Sequence, residues 1–255
     1  MRDKLNKQWI INLVESGKSY KEVVEITGYK MNSVYGLCRK IFGKMEDRNI
    51  HRRQSIPITQ EQKELIFGTL MGDGNLQKFG KSIIGRTNHS ITQENYCKYK
   101  QAKLKNLTYE VKYRTLHLNS SNKDYKQCYF CFKPNTELIP FYKMFYKDGK
   151  KDVPENLTLL TPKAMAWWFM DDGTASGRCS ISIATYSFSL EGLLRLQQHL
   201  KDTYDILVTI QKDFKLYFNA ESAVKFYNLV RKYITKDMMY KFKYVNSSSA
   251  DLKLR

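Results

Sequence analysis

The chain has 255 residues and a formal net charge of +18, from 43 lysines and arginines against 25 acids. Hydrophobic residues make up 42% and aromatic residues 13%, enough to build real cores, so a disordered polyelectrolyte is excluded. The longest apolar run, AMAWWFM, falls far short of the roughly 18 residues a membrane helix needs, and the basic balance points to a polyanion, nucleic acid first among them. The N-terminal stretch MRDKLNKQW has no signal-peptide core, and the five cysteines are scattered and odd in number. A reducing compartment is expected, bacterial or phage-infected cytoplasm or an organelle, and not secretion.

Residues 5–43 carry three short helical patterns. Trp9, Ile10 and Leu13 recur at helical spacing in the first; a capping box from Ser19 to Glu22 opens the second; after Thr27-Gly28-Tyr29 the third turns Val34, Leu37, Cys38 and Ile41 inward. Helix, glycine-containing turn and helix predict a helix-turn-helix-like DNA-binding module over residues 1–45. Its third helix offers Asn32, Ser33, Tyr35, Arg39 and Lys40 to a groove and its phosphates. The alternative is a module that only packs, with solvated charges. Residues 46–58 lose periodicity, contain Pro57 with Arg48, Arg52 and Arg53, and are expected to be a basic linker.

Thr59 opens a helix that runs to Asp73. Strands follow at 75–79 and 82–91, a helix at 93–106, strands at 110–118 and 127–133, and a helix at 137–146. From Thr161-Pro162 the succession recurs: helix to Asp172, strand, Ser176-Gly177 turn, strand at 179–188, helix from Ser189, hairpin at 206–219, helix from Ala220. The expected fold is α+β. Two pseudo-symmetric αββαββα repeats, 59–156 and 157–255, carry antiparallel sheets packed about two central helices, with a small all-α domain in front, in a monomer with internal twofold symmetry.

The strands predict two unlike faces. Ile181 and Ile183 alternate with Ser180, Ser182 and Ala184, and Val208 and Ile210 with Thr209 and Gln211. The polar face, with Arg86, Asn88, Lys112, Arg114, Arg178, Thr209, Gln211 and Lys215, suits a DNA major groove, where arginine reads guanine and glutamine or asparagine reads adenine. A solvated sheet face is the alternative.

The chemistry concentrates in a duplicated stretch. LIFGTLMGDGNL places Gly68 and Gly72 on one helix face and ends in Asp73; AMAWWFMDDGTA ends in Asp172, 99 residues later. Two such helices side by side bring their acids together, a repulsion of about 4 kcal/mol at an effective dielectric near 20, which calls for a divalent cation. The chain offers no His-rich cluster, no phosphate-binding loop and no nucleophilic Ser/His/Asp set. Cys128 and Cys131 form a C-x-x-C with no second pair. A hard cation on oxygen ligands, Mg²⁺ or Mn²⁺, is the natural choice.

Both stretches resemble the LAGLIDADG motif of the homing endonucleases in the two-motif, single-chain form, over roughly residues 59–245. The eighth motif position, the family's catalytic acid, falls on Asp73 and Asp172. The resemblance implies a site-specific endonuclease that cuts double-stranded DNA at a long, non-palindromic target. Asp73 and Asp172 would share metals, with the backbone carbonyls of Gly72 and Asp171 as auxiliary ligands. Lys151 and Lys241, each past a repeat's last long helix, match the family's basic residue near the scissile phosphate. The second motif departs from the first, with Trp167 for Gly68 and Asp171 for Gly72; Asp171 is a rival carboxylate. An intron RNA maturase on the same scaffold, with RNA as partner, and a helix-turn-helix regulator are the competing expectations.

Overall fold

The computed structural model describes residues 6–42, 55–80, 82–118, 122–177 and 179–248. The chain forms two compact units, Met1–Gln54 and Ser55–Arg255. The linker arginines and Arg178 lie outside the described residues.

In the first unit, α1 (Lys7–Glu15), α2 (Tyr20–Thr27) and α3 (Met31–Phe42) close over Ile10, Val14, Tyr20, Val23, Val34 and Cys38. The capping box at Ser19 and Glu22 forms, and Gly28 ends α2 in the left-handed conformation, φ 68°, that turns the chain into α3. Ile41, expected inside, is exposed, as is Trp9: with so few core residues each short helix buries only a narrow stripe. Asn32, Ser33, Arg39 and Lys40 face solvent, and Tyr35 packs edge-on against Tyr20.

In the second unit two helices make the axis of the core. α4 (Gln60–Met71) buries every residue from Leu65 to Met71, and α5 (Pro162–Asp172) every residue from Ala164 to Met170. Helices apolar all round must lie inside, and these two pack on each other. Gly68 permits it: a Cβ there would stand 2.3 Å from the carbonyl oxygen of Ala164. Gly68→Ala should therefore force the helices apart and cost about 1–3 kcal/mol, read as a fall of several degrees in melting temperature; an unchanged melt would show that the backbones do not touch there.

Each axial helix feeds a four-stranded antiparallel sheet. The first contains β1 (Asn75–Phe79), β2 (Ser82–Ser90), β3 (Lys112–Leu118) and β4 (Lys123–Asn135), in order β1-β2-β4-β3. After the two-residue pairs β5 (Tyr146–Lys147) and β6 (Lys150–Lys151) come β7 (Gly173–Ala175), β8 (Ile181–Ile183), β9 (Thr209–Ile210) and β10 (Leu216–Phe218), in order β7-β8-β10-β9. The two sheets share one topology, and the connecting helices α6 (Glu94–Lys103) and α8 (Leu190–Tyr204) occupy equivalent places, with α7 (Ile139–Phe145) and α9 (Ala220–Val230) closing the repeats. This is the expected α+β arrangement.

The second sheet is shorter than its sequence predicts. The strand expected over 179–188 pairs only at Ile181–Ile183, where Ser180 and Ser182 are buried along with the isoleucines. As a central strand β8 is covered on both faces, so its polar alternation does not mark a solvent side. Lys151 follows α7 on the β5–β6 hairpin, whose turn carries Asp148 and Gly149 at positive φ.

Candidate active site

The paired helices end on the same side of the axis. Past α4 the chain turns through Gly72-Asp73-Gly74, and Asp172 is the last residue of α5. A Cβ on Gly72 would stand 2.5 Å from the Cβ of Asp171, so the second motif's carboxylate fills the space that the first motif leaves open. The Asp73 amide donates to Asp171 Oδ2 at 3.2 Å, a bond between the two motif ends.

Two lysines face the same junction in matching fashion. Lys151 Nζ donates to the carbonyls of Gly72 and Gly74 at 2.9 and 3.0 Å; Lys241 Nζ donates to the carbonyl of Asp171 at 2.8 Å. Each ammonium thus sits on the carbonyl just before its own repeat's motif acid. The carbonyls expected as metal ligands accept hydrogen bonds from lysines here. Burial pulls both lysines below the ordinary ammonium range, with the neighbouring acids opposing it.

The acids are not equivalent. Burial, then the charges of Asp171 and Asp73, push the Asp172 carboxyl up to about 8. Burial raises Asp73 too, but His89 beside it, with Lys100 and Lys241 further off, outweighs this and holds it below the usual carboxylate range. Asp73 keeps 36% of its side chain exposed, and its Oδ2 lies 3.3 Å from His89 Nδ1. Asp172 thus ionises against the charges of Asp171 and Asp73.

Asp171 is the acid that is neutralised. Lys100 Nζ reaches its two oxygens at 3.0 and 2.8 Å, Tyr96 OH donates to Oδ1 at 2.9 Å, and the Lys100 and Asp171 side chains are both 0% exposed. The rings of Tyr96 and Trp167 flank the ammonium at 5.2 and 5.3 Å. Although Asp73, His89 and Asp171 place ligand atoms within 4.8 Å of one another, the Asp171 oxygens are already taken.

The donor set fits a hard dication. Asp73 and Asp172 are carboxylates crowded into one field, backbone carbonyls face the same junction, and no pair of thiols contributes: Cys128 is buried and bonded toward the carbonyls of His89 and Ser90, while Cys131 lies three residues along the strand and on its other face.

The first sheet carries the expected basic face. Arg86 and Arg114 lie over the Tyr129 ring, each at 5.2 Å, and Arg114 donates to Asn88 Oδ1 and Gln127 Oε1 at 3.0 Å. They line a groove of about 540 Å³ with Asn75 and Gln77. Lys112 is exposed two residues from Arg114 on the same strand. On the second sheet Thr209 is exposed; in the turn between β9 and β10 Gln211 is exposed too, and Lys215 pairs with Asp213 at 2.9 Å and lies over Tyr186. No described helix is long and apolar enough to cross a membrane.

The sequence model of the LAGLIDADG DNA endonuclease family matches residues 63–226, which hold most of α4, all of α5 and both sheets. The chain belongs to the LAGLIDADG DNA endonuclease family. Among the relatives, DNA endonuclease I-ChuI of Chlamydomonas applanata is 32% identical over 207 residues, covering 72% of this chain and 95% of that protein. Protein RecA of Mycolicibacterium flavescens is 31% identical over 206 residues; the match covers 72% of this chain but 47% of that protein, so the chain spans about half the length of this relative. The homing endonuclease I-WcaI, solved bound to its DNA recognition sequence, shares the fold with a TM-score of 0.68 and 19% identity, over 76% of this chain and 91% of that one.

Sequence reasoning placed both LAGLIDADG acids and both lysines at this junction and missed His89, Lys100 and Tyr96. Lys100 falls in ENYCKYKQAK, which reads as a solvated basic helix. The usable signal was Asp171: an acid in an otherwise apolar helix requires a buried cation nearby.

Proposed function

We propose that the chain is a site-specific endonuclease that hydrolyses both strands of a long, non-palindromic DNA target, with Asp73 and Asp172 holding divalent metal. The observation that carries this reading is the convergence of the two motif ends, each acid accompanied by a lysine on the preceding carbonyl. A carboxylate-held Mg²⁺ or Mn²⁺, when bound, activates water and offsets charge on the phosphate oxygens. The protein's own part is positional. The glycine seam between the helices brings the acids to one place, and Lys151 and Lys241 stand ready to transfer their ammonium hydrogen bonds from carbonyls to an incoming phosphate. Arg86, Asn88, Lys112 and Arg114 on one sheet, and Thr209, Gln211 and Lys215 on the other, supply unlike faces for unlike half-sites. Asn32, Ser33, Arg39 and Lys40 of α3 extend the footprint. The protein acts as a monomer, since both halves of the site come from one chain.

The test is cleavage of a randomised duplex library with Mg²⁺, followed by sequencing of the ends. A single asymmetric site, lost on chelation, is the expected result. Tight DNA binding with no cleavage in Mg²⁺ or Mn²⁺ would leave only a binding protein. On the selected site, Lys151→Met and Lys241→Met should each slow cleavage about a hundredfold with DNA affinity nearly unchanged; a loss of affinity alone would make them ordinary phosphate anchors.

A further inference from the structure

His89, on β2, stands at the Asp73 carboxylate. Its side chain is 0% exposed, and Nδ1 is buried with no aligned hydrogen bond although Asp73 Oδ2 is 3.3 Å away. The other ring nitrogen, Nε2, is 3.2 Å from the buried hydroxyl of Thr87, and the ring packs edge-on against Tyr96, 5.1 Å between centroids. Fixed on both sides, the imidazole directs one free nitrogen toward the acid.

We propose that His89 is a protein ligand beside Asp73 in the first half of the centre, and that this half selects a nitrogen-tolerant transition dication over Mg²⁺. The proposal rests on the metal-holding role of Asp73. Only the tautomer with its proton on Nε2, donated to Thr87, leaves Nδ1 the lone pair that ligation needs, and a hydrogen-bonded second nitrogen is what metal-bound histidines show. A spacing of 3.3 Å is that of two adjacent ligands on one ion with bonds of about 2.1 Å. Imidazole favours transition ions, whereas Mg²⁺ keeps to oxygen and water.

At the corresponding place the second repeat carries a threonine. Asn75 pairs with Arg86 and the corresponding Thr174 with Ser182; three residues beyond each stand His89 and Thr185. Thr185 is buried and donates to the carbonyl of Phe214. The two halves therefore differ in ligand chemistry: imidazole and carboxylate at Asp73, oxygen alone at Asp172.

The full chain, free of DNA, is titrated calorimetrically with Co²⁺ and with Mg²⁺. His89→Ala should weaken Co²⁺ binding by at least about tenfold and leave Mg²⁺ within about twofold. A parallel loss of both ions would mean that His89 only positions Asp73, and no change in Co²⁺ would also overturn the proposal. Asp73→Asn separates the underlying reading: if it leaves both affinities intact, Asp73 holds no metal and the fault lies there. A measurement that leaves His89 in place covers a folding failure of His89→Ala. Mn²⁺ bound to protein carrying ¹⁵N-histidine should show nitrogen hyperfine coupling that survives His117→Ala; absence of coupling refutes ligation.

Discussion

Asp73→Asn and Asp172→Asn should each reduce double-strand cleavage by at least about a hundredfold while the protein still binds its target in a chelator. Asparagine keeps the shape and the backbone bonds of each residue, including the Asp73 amide to Asp171 at 3.2 Å, so the loss reports the carboxylate charge and not the fold. Full activity of Asp73→Asn would sink the assignment. The two variants part company in stability. Asp172 has its carboxyl raised from 3.8 to about 8 in the folded chain, so between those values the folded state keeps a proton that the unfolded state has released. Wild-type stability must then fall as pH rises through that window and level off above about 8. Asp172→Asn has no such proton, so in a chelator its melting temperature should gain on wild type from pH 4 to 8 and hold the gain beyond. Asp73, held below its usual range, gives no such crossing: its ionised form is already the favoured one, and Asp73→Asn should gain nothing.

The difference between these acids marks where sequence reading ran out. The axis was legible because LIFGTLMGDGNL and AMAWWFMDDGTA are apolar on every side, carry glycine or alanine where the backbones meet, and stop at Asp-Gly. Lys151 and Lys241 were found only because a resemblance placed them; nothing in their local sequence marks a lysine that caps a carbonyl 79 or 70 residues back. The strands of the second sheet were overdrawn because alternation of Ser and Ile in CSISIATY describes a half-buried strand as well as a fully buried short one. Burial of Ser180 and Ser182 depends on what lies above them, which is tertiary information. His89 was unreadable for a related reason. It stands on β2 among TNHS, a polar stretch like a solvent face, and its burial, with Tyr96 packed edge-on against the ring, is tertiary information.

Lys100→Met should be the most damaging single change to stability, about 3–5 kcal/mol, because it strands the Asp171 carboxylate in a site where both side chains are 0% exposed. For a unit of about 200 residues that is a fall of roughly 10 °C or more in melting temperature. The loss comes from the uncompensated charge and not from the pair itself, whose attraction is largely offset by what desolvating both ions costs. Lys100→Met with Asp171→Asn should therefore recover most of the stability, and each single variant should be worse than the double. The same cycle decides which of the adjacent acids serves the chemistry. Lys100 and Tyr96 occupy the Asp171 oxygens, so the neutral double variant, assayed below its melting point, should still cut DNA within about tenfold of wild type, as expected for a residue that only orients Asp73 through its amide. Cleavage abolished in the stable double variant would mean that Asp171 leaves Lys100 to hold metal, and the roles given to Asp171 and Asp172 would have to be exchanged.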